Sequence, residues 1–195
     1  GDLLNTQPSI VGSDGDDLLW GSADGDTLYG MGGNDTVYGQ GGDDLVFGGD
    51  GDDAVAGGDG DDMLFGEAGN DTVGGEWWGS DRMFGGDGDD LLFAASIDGS
   101  GADELDGGAG NDQLFAAVGD PAHRLTGGSG ADRFVIGHHA TAFAPLYAPL
   151  TITDFDGAQG DRIDVSRIAP AGEAVFFGAA PFFLDFSAQQ GQSAP

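Results

Sequence analysis

The chain has 195 residues, of which 40 are Gly, 35 are Asp or Glu and only five are Lys or Arg, for a formal charge of −30. Such a surface repels phosphate backbones and argues against nucleic acid as a partner, and the absence of Cys excludes disulfides and thiolate metal sites. Yet 39% of the residues are apolar, too many for a solvated acidic tail, so something must neutralise the carboxylates before the apolar groups can pack. Divalent cations fit that need.

The first residues, Gly1-Asp2-Leu3-Leu4-Asn5, have neither a basic segment nor an apolar run, so no cleavable leader is expected within them. Residue 1 is not Met, which leaves a processed product and an expressed fragment both open. No stretch is long and apolar enough to predict a membrane-spanning helix. Residues 1–11 read as an N-terminal lead-in.

From Gly12 the chain falls into blocks of nine: GSDGDDLLW, GSADGDTLY, GMGGNDTVY, GQGGDDLVF, GGDGDDAVA, GGDGDDMLF and GEAGNDTVG, unbroken to Gly74. GEWWGSDRMF (75–84) is one residue too long. After it come GGDGDDLLF (85–93), an extra AASI, DGSGADELD (98–106), GGAGNDQLF (107–115), an extra AA, VGDPAHRLT (118–126) and GGSGADRFV (127–135). Thirteen blocks of nine plus seven inserted residues fill 12–135. Only a repeat architecture holds such a register; a low-complexity linker does not place an apolar residue at every ninth position.

Position 6 is Asp in every block except the twelfth, which has His123, and position 8 is always Leu, Val, Phe or Met. Positions 7 to 9 suit a short strand whose central side chain faces the core. The six residues before them must turn the chain, and Gly supplies the positive φ that lets carbonyls converge. A carboxylate added to carbonyls makes an all-oxygen nest suited to a hard cation such as Ca²⁺. Two blocks then make one coil, so each block stacks on the next but one, with ions between adjacent turns.

The pattern resembles the RTX nonapeptide-repeat family. The resemblance implies an all-β fold: a parallel β-roll, a right-handed solenoid of two short-stranded parallel sheets with a C-terminal β cap. It implies multiple Ca²⁺ ions held by Asp17, Asp26, Asp35, Asp44, Asp53, Asp62, Asp71, Asp81, Asp90, Asp103, Asp112 and Asp132. The position-8 residues, from Leu19 and Leu28 to Leu125 and Phe134, are predicted to form the core. Position 9 points outward, so Tyr29, Phe47, Phe65 and Phe84 should stack on one face. Trp20, Tyr38, Phe93 and Phe115 share the other, interrupted by Ala56 and Gly74.

The irregularities share a parity. The Trp77-Trp78 insertion is in block 8, Ala94–Ile97 enters the turn of block 10, and Ala116-Ala117 enters that of block 12, which also carries Pro121. All three fall in even-numbered turns. The expectation is a continuous file of ions along the odd edge from Asp17 to Asp132. The even edge should lose its ions beyond about Asp62 or Asp81. For Trp77-Trp78, folding back over a strand and stacking on a partner or a glycan both stand open.

After Val135 the period stops, and 136–195 reads as the cap. Its segment from Leu150 to Ser166 contains Ile152-Thr153-Asp154-Phe155 and Asp161-Arg162-Ile163-Asp164-Val165-Ser166. It resembles the I-x-D-F…D-x-I-D-L-S signature that comes after the repeats in serralysin-type metalloproteases and in the R-modules of mannuronan C5-epimerases. Val165 replaces the usual Leu, and Gly160 lengthens the spacing. In families exported by the one-step type I route the C-terminal tail carries an uncleaved secretion signal, a role with which Ala171–Pro195 is compatible.

Nothing points to catalysis. His123, His138 and His139 lack the spacing of a zinc site, and H-E-x-x-H, G-x-S-x-G and a Cys nucleophile are all missing. No twelve-residue loop ending in Glu is flanked by helical periodicity, which excludes an EF-hand. Thr27, Thr36 and Thr72 at position 7 are interrupted by Leu, Ala, Met and Arg, which breaks any flat ice-binding array. The reading is a secreted, non-enzymatic, calcium-binding module that folds outside the cell and supports type I secretion, with the secretion apparatus as a partner during export. Two alternatives are an auxiliary polysaccharide-binding or stabilising module of a secreted enzyme, and a self-associating extracellular structural protein such as an S-layer, matrix or filament subunit.

Overall fold

A computed structural model of the chain describes residues 9–75, 78–94, 101–118, 122–138, 150–167 and 185–186. Short strands alternate between two parallel sheets, the first running from Ile10–Val11 to Asp185–Phe186 and the second from Leu18–Trp20 to Arg162–Arg167. Each strand pairs with the next but one, as in Leu28↔Val46↔Leu64 and Val37↔Val55↔Val73. One block of nine therefore makes half a coil, and the all-β parallel solenoid predicted from the repeat is the fold.

The core is the file of position-8 side chains. Leu28, Val46, Leu64, Met83, Leu105 and Leu125 of one sheet face Val37, Val55, Val73, Leu92, Leu114 and Phe134 of the other, all buried. Leu19, in the first strand of its sheet, is only half-buried and packs against that core. Neighbours at positions 7 and 9 face outward, as the pleat requires. At position 9, Tyr29, Phe47, Phe65 and Phe84 stack with ring centroids 4.9–5.0 Å apart. On the other sheet Trp20 stacks on Tyr38 at 4.3 Å and Phe93 on Phe115 at 4.8 Å.

The turns explain the glycines. A Cβ at Gly30, position 1, would strike the carbonyl of Gly48 in the next coil and the Asp35 carboxylate of its own turn. Gly51, position 4, has φ 137° and its backbone lies against that of Gly33. Position 2 takes left-handed backbone at three residues that are not Gly: Met31, Gln40 and Glu67 have φ of 87°, 81° and 80°.

All three irregular turns run from the second sheet to the first, between Thr72–Gly74 and Arg82–Asp87, Leu91–Phe93 and Glu104–Ala109, and Gln113–Val118 and Arg124–Ser129. They share one edge. Glu76, Trp77, residues 95–100 and 119–121, which include Ile97 and Pro121, lie outside the described residues, as do 1–8 and most of 168–195 with the expected secretion signal.

The two sheets continue past residue 135. Thr151–Ile152 adds to the first sheet (Leu125↔Ile152) and Arg162–Arg167 to the second (Phe134↔Ile163). The D-F and D-x-I-D segments of the tail thus build a further coil on the roll. Asp154 ties it down by accepting the Gly127 and Gly128 N–H groups at 2.9 and 2.7 Å.

Candidate metal centre

The position-6 carboxylates stand in two files, one along each edge where the sheets meet. On the odd edge each aspartate N–H donates to Oδ1 of the next coil's aspartate: Asp17 to Asp35, Asp35 to Asp53, Asp53 to Asp71, Asp71 to Asp90, Asp90 to Asp112 and Asp112 to Asp132, at 2.7–3.0 Å. On the even edge the same link joins Asp26, Asp44, Asp62, Asp81 and Asp103. It then ends on His123, whose Nδ1 accepts the Asp103 N–H at 3.1 Å. All twelve aspartates expected at metal positions are in these files. All are buried except Asp17, which is half-buried.

Every one of them except Asp17 and Asp26, which open the files, thereby has a donor on Oδ1; on Oδ2 most have none. Eight of these carboxylates, Asp35, Asp44, Asp53, Asp62, Asp71, Asp90, Asp112 and Asp132, have a buried Oδ2 with no hydrogen-bond partner. Burying an ionised carboxylate costs several kcal/mol or more unless a counter-charge meets it, and strand spacing sets the next carboxylate only about 5 Å away. Burial pushes the Asp62 carboxyl up to about 8, Asp71 and Asp112 to about 7, and Asp44 and Asp53 to about 6; the N–H from the preceding coil opposes this, and neighbouring carboxylates add to it. No three acidic or histidine side chains converge among the described residues. A cation here must therefore complete its shell from turn carbonyls, an all-oxygen donor set that fits a hard divalent ion.

These shifts give the pH response of the ion-free fold. The ordinary value is 3.8 and the folded values are about 6 to 8. Between them the folded chain binds more protons than the unfolded one, so acid stabilises the ion-free fold, and that contribution is lost as pH rises through about 6 to 8. With EDTA present, acidification from about pH 8 to about pH 5 is expected to increase β-type ellipticity. A flat or falling signal would rule out buried carboxylates as the dominant ion-free defect.

Three features of the site were not drawn from the repeat. Position 5 forms a second ladder running the opposite way: Asp16, Asn34, Asp52, Asn70, Asp89 and Asn111 each accept, through Oδ1, an N–H from the following coil. Its recurrent Asp or Asn was the available signal. Asp161 extends the odd file by accepting the Asp132 N–H at 3.0 Å. Its sequence cue was the D-x-I-D segment, in which Ile163 falls two places on, where position 8 belongs. Lastly, a cleft of about 590 Å³ lies over the second sheet where Ala56 interrupts the aromatic stack, lined by Trp20, Tyr38, Gln40, Asp59 and Trp78.

A scan against protein families matches the RTX calcium-binding nonapeptide repeat (4 copies) at residues 11–46, 20–55, 38–73, 78–96 and 97–120, together more than half of the chain. A search of curated proteins finds no match. The stacked Gly-rich turns, the buried carboxylate files and this match agree, and the chain belongs to the RTX calcium-binding nonapeptide repeat family.

Proposed function

We propose that this chain is a calcium-triggered folding module: unfolded where calcium is scarce, it closes into the roll on meeting calcium outside the cell and so assists its own type I export. The observation that carries this reading is the set of eight buried Oδ2 atoms without partners. Six of them, from Asp35 to Asp132, form an unbroken odd file, whereas the even edge shows them at Asp44 and Asp62. This supports a continuous odd row of ions, with even-edge ions at Asp44 and Asp62. Extracellular sites bind at roughly 10⁻⁴ to 10⁻³ M, above ordinary cytosolic calcium, and binding is coupled to folding.

Replacing Asp53 with Ala should remove about one ion and loosen only the adjacent coils, because stability in a solenoid is a nearest-neighbour property. Native mass spectrometry in calcium would count the ions. An unchanged count would remove Asp53 from the ligand set.

The cleft bounded by Trp20, Tyr38 and Trp78 favours a second, accessory reading, a polysaccharide-binding role. Both tryptophans are about half exposed, at 52%, and sugar C–H faces pack on such rings while Gln40 and Asp59 offer hydrogen bonds. Neutral oligosaccharides quenching tryptophan fluorescence, with the effect lost in Trp20→Ala, would support it; no quenching would reject it.

A further inference from the structure

The unpartnered Oδ2 atoms do not reach the ends of the files, and the reason is built into the turns. Asp17 and Asp26 open the odd and even files. In each, the position-2 serine folds back on the carboxylate: Ser13 N–H and Oγ donate to Asp17 Oδ2 at 2.6 and 2.8 Å, and Ser22 does the same to Asp26 Oδ2 at 2.6 and 2.8 Å. At the far end of the odd file, Asp161 Oδ2 accepts the Asp156 N–H at 2.7 Å while its Oδ1 holds the Asp132 N–H. These three carboxylates already have donors on the oxygen that the interior aspartates leave open.

The backbone at position 2 makes the difference. In the later blocks whose position-2 residue is described, that residue is left-handed, as at Met31, Gln40, Gly49 and Gly58. It then joins the strand, so that Gly58 N–H, for example, reaches Gly75 O in the adjacent coil. Its N–H points along the sheet and away from the carboxylate. Ser13 and Ser22 lack the positive φ, and the strands before them stop early, at Val11 and Trp20, instead of running on for six residues as in Thr27–Gly32. Their N–H groups turn inward. A cation brought to Asp17 or Asp26 Oδ2 would face two positively polarised hydrogens and find the oxygen's lone pairs occupied.

We infer that Asp17, Asp26 and Asp161 are metal-free end stops, each with its Oδ2 held by protein donors, and that position 2 decides which position-6 carboxylates take an ion: left-handed residues open the site and Ser13 and Ser22 close it. The inference rests on the calcium-trigger reading and narrows it, withdrawing the first aspartate of each edge from the ligand set.

The test is an ion count on the full chain in saturating Ca²⁺ by native mass spectrometry, with circular dichroism to show each variant folded. Asp53→Asn and Asp71→Asn should each lose one ion, while Asp17→Asn, Asp26→Asn and Asp161→Asn should keep the wild-type number. Loss of an ion in any of the last three overturns the end-stop assignment at that residue. If wild type takes up no calcium, or Asp53→Asn and Asp71→Asn lose none, the calcium reading itself fails, a different outcome. Ser22→Gly supplies a variant that leaves every carboxylate in place. Gly can take the left-handed conformation, lengthen the strand and release Asp26 Oδ2, so the count should rise by one. An unchanged count would overturn the role given to position 2.

Discussion

Adding EDTA to the folded chain is expected to replace its β-type circular dichroism spectrum with that of a coil, and excess calcium should restore it. The size of the effect follows from mass action. An ion present at ten times its dissociation constant stabilises the state that binds it by about 1.4 kcal/mol. Eight carboxylates carry an open Oδ2; were each to hold one ion independently, the sum would be about 11 kcal/mol, comparable with the 5–15 kcal/mol that separates a typical domain from its unfolded state. Removing the ions also restores repulsion between carboxylates one strand apart. The formal charge of −30, with only five Lys or Arg residues, leaves few internal cations to relieve it. A β spectrum unchanged by chelator would show that the apolar files hold the roll without metal, and would sink the trigger.

The second large effect is expected from Val55→Asp. Val55 is 3% exposed and lies in register between Val37 and Val73, so the new carboxylate would replace an apolar contact in the middle of the core. It would have no carbonyl nest to accept a cation. The loss should reach about 4 kcal/mol or more, the range reserved for buried unpaired charge. Ala54→Asp is the matched control, since Ala54 faces solvent, and exposed substitutions cost about 0.5 kcal/mol or less. Thermal melts in saturating calcium would separate the two. Equal melting temperatures would mean that position 8 is not the core.

The repeat made most of this legible. A period of nine with an apolar residue at position 8 sufficed to place Leu28, Val46 and Leu64 in one buried file and Val37, Val55 and Val73 in the facing one. The same arithmetic stacked Tyr29 on Phe47 and put the three interruptions on one edge. Features that depend on local geometry were hidden. Ser13 and Gly49 occupy the same repeat position, yet one turns its N–H onto a carboxylate and the other does not. Period alone reports that a residue recurs, not which way its amide points. Asp161 was missed as a member of the file because 29 residues separate it from Asp132, against 18 between Asp35 and Asp53. The two-block spacing had stretched beyond recognition. The half-buried state of Leu19 has a similar origin, since an end coil has a neighbour on one side only.

The short span between paired strands has a kinetic consequence. Parallel sheets are ordinarily slow to form, because their partners lie far apart along the chain and the intervening loop must be closed first. Here the links along the files join residues only 18 to 22 apart from Asp17 through Asp132, and 29 apart at Asp161. Each coil after the first thus adds by a short loop closure onto an existing template. Nucleation should be the slow step, with rapid zipping in either direction once it has occurred. The chain would behave less like a globular domain that folds all at once than like a one-dimensional crystal growing from whichever coil first captures its ions.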